Sequence, residues 1–345
     1  MPAPSLHTHD HSGHLGETTA SSQPRFRRVV ACLDTSRHSP KVISHGVAVA
    51  TALNAELTLL RVLEAEPKGA SPSDPVEWAL RRLEACAHVE DLAHERAEEI
   101  GCIQTAVVEG RAANQICQWA REHQADLTVL CSHGEDNGRE WDLGTTARRI
   151  IDCAPGSVLL VPAQIEESRG VRYRRLLVPL DGSSRAESAL PIALRLTEAK
   201  DTELLLVHAV PEPELTEIGP FEPDDIDLRE RLFRRNERVA QSYLDRIRTG
   251  IADKGVSVRT LILRGGDARY LLSRAIVDET ADLVILASHG HSGHVDVSAG
   301  SVAAYLMAHT PVPLLIVRQH STSSSRHDSS AQDRIGIRLP SRTIS

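Results

Sequence analysis

The chain has 345 residues, 41% apolar but only 3% aromatic, enough for two ordinary domains with aliphatic cores. A formal charge of −8 with no dense Lys/Arg stripe argues against nucleic acid as the main partner, because phosphate-backbone binding needs clustered positive charge. No segment reaches the ~20 apolar residues of a membrane span and no hydrophobic secretory core opens the chain, so no membrane association and a cytoplasmic location are expected.

Residues 1–24 are rich in Ser, Thr, Gly and His without an apolar period, and read as a disordered tail. Within it HTHDHSGH sets His7, His9, His11 and His14 close together. Neutral imidazoles suit zinc, nickel or copper, yet such a tail imposes no fixed coordination geometry, so a dedicated metal site is not expected. From residue 25 the apolar pattern predicts a strand over 29–33 ending in Asp34, a helix over 40–53 and a strand over 57–62. A long helix over 76–100, a strand over 103–108, a helix over 113–123 and a strand over 127–131 follow. A glycine loop, a helix over 145–152 and a strand over 157–161 close the first unit at residue 162.

The unit is then repeated. After a polar linker at 163–171, RYRRLLVPLD ending at Asp181 matches RFRRVVACLD ending at Asp34, 147 residues earlier. ADLVILASHG, ending at Gly290, matches ADLTVLCSHG, ending at Gly134, at a separation of 156. The two separations differ by nine residues, placing an insertion between the second and third strands of the second copy, which spans 172–318. A polar tail at 319–345 reads as disordered. Strands alternating with helices imply an α/β fold: two tandem doubly wound domains, each a five-stranded, mostly parallel sheet with helices on both faces. Ligands in such folds bind beyond the carboxyl ends of the strands, where the strand order switches. Asp34, Asp181 and both glycine loops belong at that crest.

Gly300-Ser301 opens the helix after the second glycine loop, and Gly144-Thr145 opens its counterpart. A small residue followed by a hydroxyl beside unbonded N–H groups is an anion seat. All six cysteines (Cys32, Cys86, Cys102, Cys117, Cys131, Cys153) fall in the first copy. A disulfide framework that stabilises one repeat and skips its twin is not expected, so the thiols are read as reduced. Cys32 and Cys131 end neighbouring strands, and a redox pair facing one crevice is the sharper alternative to simple packing. The Arg clusters at Arg25, Arg27 and Arg28 and at Arg172, Arg174 and Arg175 are read as solvated groups preceding first strands.

Asp at the end of the first strand, then S-H-G, nine residues and G-[ST] after the fourth, resembles the universal stress protein family, in a tandem arrangement over residues 25–318. The nucleotide-binding branch carries G-x2-G-x9-G-[ST] here; this chain has Ala287 and Cys131 in place of the leading glycine. The resemblance implies an adenine-nucleotide hydrolase-like fold binding ATP, with Mg where a divalent cation screens the phosphates. The positions it implies in the second copy are Pro179, Asp181, Ala209, Ala287, Gly290, Gly300, Ser301 and Val302. In the first they are Asp34, Val62, Gly134, Gly144 and Thr145, with Cys32 replacing the proline of P-x-D. The first loop, EDNGREWDL, has four carboxylates against one Arg, whereas HSGHVDVSA has one carboxylate and two histidines. Like charges repel a triphosphate, so the second site is expected to be the better one. His133 and His289 are read as loop-packing residues.

The resemblance also implies pairing through the last strands, here 158–161 with 314–317, as an intramolecular pseudo-dimer with further homodimerisation open. The expected function is a non-catalytic, nucleotide-responsive stress regulator read by an unknown protein partner, with slow ATP hydrolysis at most. A ligand-free scaffold is the alternative. An ATP-using enzyme is disfavoured, since no S-G-G-x-D-S loop follows either first strand.

Overall fold

The computed structural model describes residues 26–64, 74–134, 143–166, 168–197, 201–213, 223–288 and 299–318. Its first half runs β1 (Arg28–Leu33), α1 (Ser39–Leu53), β2 (Glu56–Leu63), α2 (Pro75–Glu95), α3 (Ala97–Ile100), β3 (Ile103–Glu109), α4 (Ala112–Glu122), β4 (Leu127–Cys131), α5 (Thr145–Cys153) and β5 (Ser157–Val161). The second runs β6 (Arg175–Pro179), α6 (Ser184–Glu187), α7 (Leu190–Leu196), β7 (Glu203–Val210), α8 (Pro223–Ile251), β8 (Ser257–Arg264), α9 (Ala268–Asp278), β9 (Leu283–Ala287), α10 (Ser301–His309) and β10 (Leu314–Val317). The His-rich motif of His7, His9, His11 and His14 lies outside the described residues.

The ten strands among the described residues form one sheet in the order β3-β2-β1-β4-β5-β10-β9-β6-β7-β8. Within each half every pairing is parallel. The halves meet at an antiparallel seam, with Leu314 opposite Leu160, Leu315 opposite Leu159 and Ile316 opposite Val158. Every residue of β5 and β10 is buried, as expected of central strands covered on both faces, whereas the edge strands β3 and β8 are half open. The seam removes the two sheet edges that would otherwise invite pairing with another chain.

Strand alternation divides the core into two layers. One face is covered by α1, α2, α6, α7 and α8, through side chains such as Ile43, Val89, Ile192 and Leu244. The other is covered by α4, α5, α9 and α10, through Ile116, Ile150, Ile276 and Leu306. The helices α1 and α7 pack on each other across the seam, where His45 Nδ1 lies 2.8 Å from the Tyr173 hydroxyl.

Several details differ from the sequence-based expectation. The long helix over 76–100 is broken at Arg96, whose backbone leaves helical geometry (φ −109°, ψ 0°) while its buried guanidinium reaches Glu99. The first helix of the second copy is split into α6 and α7, because Pro191 at the start of α7 has no N–H to continue a helix. On α8 the sequence period predicts an apolar face of Leu232, Val239, Tyr243, Ile247 and Ile251; Tyr243, Ile247 and Ile251 do pack inward, but Phe233, Ala240 and Leu244 supply the buried remainder and Val239 faces solvent. Arg28 and Arg175 are not merely solvated: Arg28 donates to the His123 carbonyl at 2.7 Å and Arg175 to the Glu279 carbonyl, at the C-terminal ends of α4 and α9. Reduced thiols throughout are contradicted by Cys117 on α4 and Cys153 on α5, which form a disulfide with Cα atoms 5.9 Å apart. Side-by-side helices bring together residues that sequence separation keeps 36 positions apart. No helix among the described residues is long and apolar enough to cross a membrane.

Candidate functional site

In both halves the first and fourth strands are neighbours whose following helices leave on opposite faces, which opens a crevice at their carboxyl ends. The first strands deliver Asp34 and Asp181 there, each held by its own turn. Asp181 Oδ1 accepts from the Ser183 N–H at 3.0 Å and hydroxyl at 2.6 Å, and the Ser183 hydroxyl oxygen accepts from the Ala186 N–H at 3.1 Å. Gly182 between them has φ +84°, a conformation that side chains disfavour. Asp34 Oδ1 accepts from the Ser36 N–H at 3.0 Å and hydroxyl at 2.6 Å. Each carboxylate is thereby fixed in direction before any ligand arrives.

The fourth strands deliver the glycine loops, whose bases are pinched identically. The Gly144 N–H donates to the Ser132 carbonyl at 3.0 Å, and the Gly300 N–H to the Ser288 carbonyl at 2.8 Å. Helices α5 and α10 start at the next residue. A helix leaves its first N–H groups without intrahelical acceptors, and Gly300 has no side chain to cap them. Ser301 is exposed and Val302 half-buried against the α9/α10 layer. Pro179 ends β6 and Ala209 lies near the end of β7, where strand alternation puts both on the face of α10. Ala287 ends β9 on the opposite face, beside Val317. Gly290, His289 and the loop charges of both copies lie outside the described residues.

In the first half Val62 sits near the end of β2, packed against the α4/α5 layer, and Thr145 is exposed at the start of α5. Gly134 passes over the aspartate: a Cβ there would lie 3.1 Å from Asp34 Oδ2. Two imidazoles also press on this crest. His38, missed by the sequence reading, is buried with Nδ1 unpartnered among the described residues, and buried His133 Nε2 is likewise unpartnered. Burial, then Lys41 and Arg37, hold the His38 pKa below the ordinary histidine value, against the pull of Asp34. Nothing in the sequence marks His38, since it precedes the apolar face of α1. In the second half His208 lies on the α8 face near Asp181, edge-on to Tyr243 with ring centroids 6.0 Å apart. Its pKa is lowered by burial and supported by the Leu180 carbonyl and Asp181. His208 follows Leu204 and Leu206 at period two, a signal that would have placed it there.

The Cys32–Cys131 pair fails on geometry. Ala31 is level with Val129 in the parallel β1/β4 pair, so Cys32 is level with Leu130 and Cys131 falls one residue beyond, on the other side of the pleat. Cys32 packs in the α4/α5 layer and Cys131 in the α1 layer. Burial pushes the Cys32 thiol up to about 12, and burial also raises that of Cys131, against the His133 N–H. Among the described residues no group of three or more His, Cys, Asp or Glu is arranged to hold a metal ion.

The repeated crest and the seam can be compared with known proteins. A universal stress protein of Mycobacterium tuberculosis is 24% identical over 312 residues, covering 86% of this chain and 99% of its own. The crystal structure of a universal stress protein from Archaeoglobus fulgidus shares the fold with a TM-score of 0.60 at 16% identity, over 85% of this chain and 97% of that one. A universal stress protein solved in complex with cAMP aligns with 41% of this chain and all of its own, at 21% identity and a TM-score of 0.31; the cyclic nucleotide is that protein's ligand. The model of the universal stress protein family matches residues 25–162 and again 172–318, so this chain, with its two pinched glycine loops on one sheet, belongs to the universal stress protein family.

Proposed function

We propose that the chain binds ATP at the crest of its second half, without using it as a substrate for efficient chemistry, and that occupancy alters a surface read by another protein in a stress response. The observation that carries this reading is the pinched base at Ser288 and Gly300, which brings the uncapped start of α10 to the strand ends that carry Asp181. The residues fit the group. The N–H groups of Ser301, Val302 and Ala303 and the Ser301 hydroxyl suit phosphate oxygens, with the helix dipole adding to the attraction. Asp181 would accept from a ribose hydroxyl or an exocyclic amine, and Pro179 and Ala209 would line the base. Gly290 belongs to the same set by its place in the motif. Two units at 25–162 and 172–318, joined at 163–171, would then carry unequal sites.

The first crest supports weaker binding. Its loop, EDNGREWDL, carries four carboxylates against one Arg, and like charges repel a triphosphate. Calorimetric titration with ATP and Mg tests the assignment on two variants. Asp181→Ala is expected to weaken binding at least ~10-fold, the scale of a lost charged hydrogen bond, and Asp34→Ala to leave it nearly unchanged. Loss of binding in Asp34→Ala alone would reverse the assignment.

A further inference from the structure

The disulfide between Cys117 and Cys153 has no counterpart in the second half. The positions 156 residues on are Ser273 and His309, in α9 and α10, which pack on each other as α4 and α5 do. The fold therefore holds this helix pair without a covalent link, and the link is an addition to the first half alone. Its setting is asymmetric. Cys117 is buried at 3% exposure, whereas Cys153, the last residue of α5, is exposed. Of the two residues only Cys153 reaches the surface.

Two arginines cap the end of the helix that carries Cys153. Arg121 donates to the Cys153 carbonyl at 3.5 Å and Arg318 to the Ala154 carbonyl at 2.5 Å, capping the carbonyl end of α5 with two guanidinium groups. The other four cysteines are unpaired, Cys102 among them exposed. An exposed free thiol is at home in a reducing compartment, where disulfides are transient rather than structural.

We propose that Cys117 and Cys153 are a reversible thiol–disulfide modification site that responds to peroxide and sets how firmly α5, and with it the Gly144-Thr145 turn, is held to α4. In the reduced chain the Cys153 thiolate attacks one oxygen of hydrogen peroxide. The O–O bond breaks, leaving a sulfenic acid on Cys153 and a hydroxide that takes up a proton to leave as water. The Cys117 sulfur then attacks the Cys153 sulfur, the S–O bond breaks, and a second water leaves with the Cys117 proton. Two electrons pass from the two thiols to the peroxide. A dithiol reverses the change by attacking the Cys153 sulfur, releasing the Cys117 thiol and then closing its own disulfide. This inference does not rest on nucleotide binding.

The full chain, reduced with dithiothreitol and freed of it, should be exposed to hydrogen peroxide, alkylated and mapped without reduction. The expected product is one Cys117–Cys153 cross-linked peptide, with Cys32, Cys86, Cys102 and Cys131 still unlinked. Cys117→Ser and Cys153→Ser should each abolish it; serine already stands at the position equivalent to Cys117 in the second half. Amide hydrogen exchange over 145–149 should be several-fold slower in the oxidised chain than in the reduced one, and unresponsive to peroxide in Cys117→Ser. Cys117 and Cys153 alkylated equally with and without peroxide would overturn the proposal. So would a link that dithiothreitol cannot open in the folded chain, or identical exchange in both states.

Discussion

Gly156→Ala should cost the protein about 3 kcal/mol or more, seen as a large fall in the denaturant midpoint or as insoluble protein. A Cβ at Gly156 would lie 2.4 Å from the Asp126 carbonyl oxygen and 2.7 Å from that of Ala125, distances at which something must move. Neither neighbour is a flexible side chain. The Asp126 carbonyl already accepts the Ser157 N–H at 2.9 Å, and its carboxylate accepts the N–H groups of Arg27 at 2.7 Å and Arg28 at 3.0 Å. Yielding would therefore disturb the starts of β1, β4 and β5 together. The equivalent position in the second half is Val312, so Val312→Ala serves as a mild control. An unchanged midpoint in Gly156→Ala would contradict the close approach of these strands.

Acid should weaken the seam between the halves. Burial pushes the His45 imidazole from 6.5 down to about 4, so the folded chain keeps it neutral against the Tyr173 hydroxyl. Above pH 7 the ring is neutral both folded and unfolded, and nothing changes. As pH falls from about 6.5 towards 4 the unfolded chain takes up a proton that the folded chain refuses, so stability falls and then levels off. The full depression is worth about 3 kcal/mol. At the equivalent places in the other copy the chain has Ile192 for His45 and Phe26 for Tyr173, both buried. The double variant His45→Ile, Tyr173→Phe should therefore lose about 3 kcal/mol less than the parent between pH 7 and pH 4. His38 and His208 are common to both proteins and cancel in the comparison. Equal slopes in urea unfolding across that range would show that His45 is not held neutral.

The fold was legible because its signals are local and repeated. Buried parallel strands such as 127–131 and 157–161 are short aliphatic runs, and the two copies cross-check each other at Asp34 and Asp181. Helix breaks were less visible: Arg96 reads as an ordinary helical residue until burial of its guanidinium bends the chain, and Pro191 was masked by good helix formers around it. The cysteines were misread in both directions. Neighbouring strand ends suggested Cys32 with Cys131, but the pleat separates them, while Cys117 and Cys153 meet only through helix packing that no linear spacing reveals. At the site, Asp181, Gly300 and Ser301 carry motif signals and His208 continues the period-two run of Leu204 and Leu206, whereas His38 is drawn to its crest by tertiary contacts.

On the proposed function the second crest, and not the first, takes an adenine nucleotide. The most direct measurement is native mass spectrometry of the full chain equilibrated with ATP and Mg, counting nucleotides per chain. One ATP per chain is predicted, lost in Asp181→Ala and kept in Asp34→Ala. A chain that stays empty at millimolar ATP, or that carries two equivalent nucleotides, would contradict it.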